Sequence, residues 1–435
     1  MTTKFDAIVI GGGISGLITT LILSGNGYRV LLVEKEQRLG GTNNSFRNRR
    51  GDTFDFGYHT LDCDRSPFAT RFFSEVLRDQ FHTFALKRGI AIKGHAMPYN
   101  SPISEWPEAI RLSVEKTEFV DTIDGPPTRA NLASVYGDYL ARLALDEILP
   151  SYPTLCWQLK NGKPEPDLMD QVYPWFFPKS IKQSVGKHEW NRFHQKVRDR
   201  DEHLVMYPST GGFGGFIDAI VKKIDTQKAR IVQGFSKLDV SIDPDSQKIR
   251  SIDLDGATYE ADQYFWCAPL AIVGRLLGVP FPSAHPQMLC LGSFVFEREL
   301  PFAYHEILVG ERGVPINRIS FPGKISGGKN DKAQVEFAYP LGEMVIEENA
   351  WAVDCRSYLE KLGLLQQDNP LIDYHFFGAN KGFVSTHDPL KMLADFRASL
   401  RPSTNIVYPY IGLEVDSISR IIPSVFREVY RAITA

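Results

Sequence analysis

Residues 6–36 read DAIVIGGGISGLITTLILSGNGYRVLLVEKE, and this stretch restricts the fold more than any other. A β-branched run, Ala7–Ile10, enters the pattern G-x-G-x-x-G at Gly11, Gly13 and Gly16. A long apolar segment with helical spacing follows, and a second β-branched run, Arg29–Val33, ends in Glu34. Strand, glycine turn, helix, strand and acid in that order open a Rossmann-type α/β domain. Gly11 makes the tight turn, Gly13 lets the backbone approach a pyrophosphate, and Gly16 lets the helix pack on the strand. Ile14 and Ser15 begin the helix, whose unpaired N–H groups face the phosphates. Glu34, followed by Lys35, is placed to accept hydrogen bonds from ribose hydroxyls and to repel a 2′-phosphate, which favours FAD or NAD over NADP. Glycines also mark ordinary turns, but here the strand, the helix and the acid are all in place.

At 435 residues the chain is too long for one compact core, so two domains are expected. A net charge of −3 gives no electrostatic case for nucleic acid. Short basic clusters such as Arg47–Arg50 read as solvated surface. The five cysteines are scattered, odd in number and form no C-x-x-C, so neither a disulfide framework nor a metal site is indicated. A reducing cytoplasm fits that usage. The apolar stretch Ala7–Leu23 is broken by three glycines and lacks a basic leader, and no later segment is apolar for long enough to span a membrane. A cytoplasmic chain without a transmembrane segment is the expectation; the oligomeric state is left open.

Directly after Glu34 a second glycine pair, Gly40 and Gly41, is followed by Thr42, Asn43, Asn44 and Ser45. These offer backbone amides and small polar groups to a long ligand. The chain here resembles the FAD superfamily that contains monoamine oxidases, phytoene desaturases, protoporphyrinogen oxidases and UDP-galactopyranose mutases. The resemblance rests on the opening glycine motif with Glu34, on RLGG at 38–41, and on FDFGYH at 54–59 against the family's D-x-G-x-H. A further match is YPSTGGFGGFIDAIVKKI at 207–224. It implies a discontinuous FAD-binding domain made of 1–66, 205–270 and 405–435, with an inserted α+β substrate domain made of 67–204 and 271–404. It also implies that Gly57, Tyr58 and His59 run along the flavin ring, and that the Phe235 backbone meets the adenine. In the tail, Gly412 and Glu414 stand where the family carries G-D or G-R before a helix that meets the flavin. No cysteine lies near that tail motif, so the FAD is expected to be non-covalent.

Between Pro67 and Leu204 the pattern reads as helical, aromatic and proline-interrupted. NLASVYGDYLARLALDEIL is an amphipathic helix candidate, and QVYPWFFPKSIKQ either lines a pocket or packs a domain seam. ARIVQGFSKLDVSID alternates as a strand, and KIRSIDLDGATYEADQYFWCAP reads as a hairpin turning near Asp255-Gly256. CLGSFVFERE and AQVEFAYP are strand-like around GVPINRISFPGK, helices follow, and the tail ends in a helix. NRISFP is similar to the mutase segment whose arginine lies near substrate. Arg318 is therefore the candidate for binding a substrate anion, with a structural ion pair as the competing role.

The resemblance implies an FAD-dependent oxidoreductase taking a hydride from a small-molecule substrate, with His59 and Arg318 as the candidate catalytic residues. A redox-neutral mutase-like enzyme on a nucleotide-linked sugar is the alternative; against it, the mutases' second histidine is Asp62 here. A third reading is a flavin-free escort protein on the same fold, which would leave the intact glycine and Glu34 set without a use.

Overall fold

The structure is a computed structural model. It describes residues 2–98, 107–108, 203–243, 245–279, 285–311, 314, 316–340, 347–379, 384–385, 389–411 and 417–434. The chain separates into two compact units, Met1–Phe84 with Leu204–Ala284 and Asp388–Ala435, and Ala85–His203 with His285–His387.

The first unit is built on a seven-stranded sheet. Strand β1 (Thr3–Ile10) lies at its centre, parallel to β2 (Val30–Glu34) on one side and to the strand Ala257–Trp266 on the other. Ala229–Gln233 extends the parallel set beyond β2, with Gln233 opposite Glu34. Ala7–Ile10 and Val30–Val33 are all buried, as strands covered on both faces must be. Helix α1 (Ile14–Gly25) crosses between β1 and β2, and Leu17, Ile18, Ile22 and Leu23 bury its apolar side. The tail returns to this sheet: Ile406 and Val407 pair with Tyr264 and Phe265, and the helix Ile418–Thr434 follows.

The anticipated Asp255-Gly256 turn joins the strands Lys248–Leu254 and Ala257–Trp266, with both residues at positive φ, 50° and 91°. ARIVQGFSKLDVSID is two strands, Ala229–Gln233 and Leu238–Asp243, because Gly234 turns the chain at φ 70°. Among the described residues 67–98, the helical expectation holds for α2 (Pro67–Leu77) and not beyond it. Phe81–Leu86, Arg88–Ile92 and His95–Pro98 are strands, and a left-handed pair, Lys93 and Gly94, makes the last turn. The two helix and pocket candidates at 131–149 and 171–183 lie outside the described residues.

The second unit holds an eight-stranded sheet in which Arg88–Ile92, Glu306–Val309, Ile316–Ser320 and Lys332–Pro340 are successive neighbours. Its apolar face carries Ile307, Ile319, Val335 and Phe337, packed with Ala352, Cys355, Tyr358 and Leu359 of the helix Glu348–Lys361. Spacings of three and four put those four residues on one side of that helix.

Candidate functional site

The glycine motif sits at the carboxyl end of β1, where ligands of open parallel sheets bind. Gly11 has φ 105°, and its N–H donates to Val33 O at 2.8 Å. A Cβ there would lie 2.8 Å from Ala268 N and Cys267 C. At Gly16 a Cβ would come within 1.8 Å of Gly11 O. Both glycines are thus required by the protein's own packing. Gly13 is different: it has φ −68°, which any residue adopts, and a Cβ would meet nothing within 4 Å among the described residues. As the N-cap of α1 it has no side chain with which to cap the amides of Ile14, Ser15 and Gly16. That combination of open space and helix N-terminus fits an anion held against the backbone.

Glu34 ends β2 beside this loop. Its carboxylate accepts from Gly12 N–H at 2.6 Å and from Glu36 N–H at 2.9 Å, so its position is fixed by backbone. Lys35 is exposed. Gly234 N–H donates to Glu34 O at 3.0 Å, which puts Phe235, one residue on, at the same sheet edge. The second glycine turn is tied to the first: Gly40 N–H donates to Gly12 O at 2.7 Å, and Gly13 and Gly40 form a parallel bridge. Gly41, Thr42 and Asn43 form one 3-10 turn, with Thr42 exposed and Asn43 half-buried.

Beyond that turn, β3 (Ser45–Arg47) and β4 (Thr53–Asp55) form a small hairpin. Gly57 is buried with φ 107°, and Tyr58 and His59 are half-buried. His59 Nδ1 lies 3.0 Å from Gly57 O, and its ring centroid is 5.7 Å from that of Phe213. The segment is held from below by Asp55, whose importance the sequence reading missed. Asp55 accepts from Ser45 Oγ at 2.6 Å, Tyr207 Oη at 2.7 Å and Phe213 N–H at 2.9 Å. Burial pushes its carboxyl up to about 6 against those three donors. Burial and the neighbouring Asp55 charge likewise raise the Tyr207 hydroxyl, which remains the donor of the pair. The available signal was an acid set between Phe54 and Phe56 in a strand, a residue type rarely buried without partners.

Arg318 lies in the second unit. Its guanidinium is 3.7 Å from Glu306 and 3.8 Å from Glu336, both buried carboxylates, and Glu306 is also paired with Arg88 at 2.5 Å. With Ser320 and Gln334, both 1 % exposed, the two glutamates form a buried polar face opposite the apolar one, on which the Arg318 side chain stays 30 % exposed. The structure does not gather His59 and Arg318 into one unit. Gly412 and Glu414 lie outside the described residues. Among those described, no helix is long and apolar enough to cross a membrane.

Glycine turn, helix and acid-tipped second strand on a parallel sheet define a Rossmann-like α/β unit. Known proteins make the class narrower. The NAD(P)-binding Rossmann-like domain family matches residues 9–76. Human flavin-containing amine oxidase B is 26% identical over 167 residues, covering 36% of this chain and 30% of the oxidase. Rat all-trans-retinol 13,14-reductase is 36% identical over 76 residues, 18% of this chain and 12% of the reductase. The chain therefore spans less than a third of the length of these two relatives. Among solved structures, reduced UDP-galactopyranose mutase superposes with a TM-score of 0.74 at 17% identity, covering 99% of this chain and 96% of the mutase. Putrescine oxidase bound to putrescine gives 0.60 at 13% identity over the whole of both chains. The chain shares its fold with the mutase and the putrescine oxidase, and its match to the Rossmann-like family lies in residues 9–76.

Proposed function

We propose that the protein is an FAD-dependent oxidoreductase that holds its cofactor non-covalently and accepts a hydride from a small-molecule substrate. The observation that carries this is Gly13: the protein's own packing gives no reason for a glycine there, whereas a pyrophosphate lying on the turn does. The residues that would hold FAD are Gly11, Gly13, Ile14, Ser15 and Gly16 at the phosphates and Glu34 with Lys35 at the ribose. Gly40, Gly41, Thr42 and Asn43 would flank the pyrophosphate, Phe235 the adenine, and Gly57, Tyr58 and His59 the ring, with Gly412 and Glu414 toward the tail. Bound FAD supplies the two-electron chemistry, and the protein supplies orientation and a polar surround. Purified protein should be yellow, with absorbance near about 450 nm, and should release FAD on denaturation; colourless protein that takes up no FAD would end this reading.

The second reading is a redox-neutral, mutase-like enzyme acting on a nucleotide-linked sugar. It is favoured by the 0.74 superposition on the mutase and by the buried polar face around Arg318, which suits a hydroxyl-rich or anionic ligand better than a hydrocarbon. Candidate nucleotide sugars incubated with the reduced protein should then change ring form, followed by NMR, with no net consumption of reductant. Stoichiometric bleaching of the oxidised protein by a substrate decides for the oxidoreductase.

A further inference from the structure

We propose that Asp55 is the positioning residue of the dinucleotide site, a buried clamp that sets the backbone of Phe56–His59 by fastening the β3–β4 hairpin to the Gly211–Gly214 turn. The inference rests on the flavin reading above.

Three segments converge on this carboxylate, and a fourth braces the residue that follows it. From β3, Ser45 Oγ–H donates to Asp55 Oδ1 at 2.6 Å while its oxygen accepts from Gly214 N–H at 2.7 Å. From the distant turn, Phe213 N–H donates to Oδ1 at 2.9 Å. From the strand His203–Pro208, Tyr207 Oη–H donates to Oδ2 at 2.7 Å. The second glycine turn joins through Asn44: its carbonyl accepts from Phe56 N–H at 3.0 Å, its amide nitrogen donates to Leu39 O, and Arg38 stacks over the Phe56 ring at 5.0 Å.

Two glycines show how closely the pieces are pressed together. A Cβ at Gly212 would lie 2.5 Å from both Asp55 Oδ1 and Ser45 Oγ, and one at Gly214 would lie 2.6 Å from Asn44 Oδ1. The helix Gly214–Lys223 begins at this point, and its first amide, Gly214 N–H, is taken by Ser45 Oγ. A residue that only filled space could be apolar. Here a polar group that can hydrogen-bond on both of its terminal atoms is required, because Ser45 and Phe213 meet one of them and Tyr207 the other.

The clamp can be separated from plain stability by two variants and two readouts on the purified chain, before and after FAD is added. In Asp55→Ala, amide exchange at Phe213 and Gly214 should accelerate about tenfold or more, and FAD affinity should fall by a similar factor. Asp55→Asn should restore both to within about threefold of wild type, since its carbonyl accepts from Ser45 and Phe213 and its amide can donate to Tyr207 Oη. Wild-type FAD affinity in Asp55→Ala, or an Asp55→Asn protein as weak as Asp55→Ala, overturns the proposal. Should Asp55→Ala not fold, Ser45→Ala applies the same test by removing the acceptor of Gly214 N–H; unchanged exchange at Gly214 and unchanged FAD affinity then overturn it. A wild-type chain that binds no FAD defeats the flavin reading instead, and the exchange data still decide whether Asp55 organises the two segments.

Discussion

Gly13 and Gly16 belong to one motif and require glycine for opposite reasons. Gly16 has no room for a methyl against the Gly11 carbonyl, whereas Gly13 faces space that the described residues leave open. Gly13→Val should therefore fold with near wild-type stability and lose FAD retention; an unaltered melting temperature together with flavin content below about a tenth of wild type is the expected result. Normal flavin content would remove Gly13 from the site. Asp55 offers a second residue-scale test. The folded chain holds its proton up to about pH 6, against 3.8 for the ordinary carboxyl, so between those values the folded state binds more protons than the unfolded one. Its contribution to stability is fully present below the lower value and is lost as pH rises through the upper. Its hydrogen-bond donors, Ser45, Tyr207 and the Phe213 amide, pull the carboxyl down without cancelling the rise from burial. Urea denaturation at pH 4.5 and pH 7 should show wild type gaining stability relative to Asp55→Asn as pH falls; parallel curves would show that burial does not raise this carboxyl.

At the scale of elements, the sequence was informative wherever structure depends on neighbours along the chain. β1, α1 and β2 follow from β-branched runs and helical spacing, and the Asp255-Gly256 hairpin from its two turn residues. The strands after α2 were misread because aromatic stretches such as Phe81–Leu86 do not alternate strictly, so their sheet partners decide their state. The Asp55 clamp was hidden for a related reason: its partners Tyr207 and Phe213 lie 152 and 158 residues away. FDFGYH and YPSTGGFGGF stood out as two motifs, yet nothing local shows that they hydrogen-bond to each other. Gly212→Ala tests that junction. It forces an L side chain to φ 66° and sets a methyl 2.5 Å from two oxygens, which should cost about 3 kcal/mol or more. A loss below about 0.5 kcal/mol in chemical denaturation would mean that the turn can withdraw from the hairpin.

At the scale of the whole molecule, the chain holds two sheets with different burial logic. The sheet of the first unit is apolar on both faces and presents its ligand-binding features at its carboxyl edge; that of the second is apolar on one face and polar, though buried, on the other. All the described residues assigned to FAD belong to the first unit, and Arg318 belongs to the second. Its variants should therefore separate cofactor from substrate. Arg318→Ala leaves Arg88 paired with Glu306 but takes the cation from beside Glu336, a buried carboxylate. With the Arg318 side chain 30 % exposed and 3.8 Å from Glu336, solvent screens the pair, and its loss should cost about 1 kcal/mol. If the guanidinium is only structural, the melting temperature should fall while KM stays constant, and Arg318→Lys should recover part of the loss. If it also binds a substrate anion, KM should rise about tenfold or more in both variants, because an ammonium cannot reproduce bidentate contact. FAD affinity should be unchanged in each case. The proposed substrate role predicts the second pattern, and a fall in stability with unchanged KM would confine Arg318 to the ion-pair network of its own sheet.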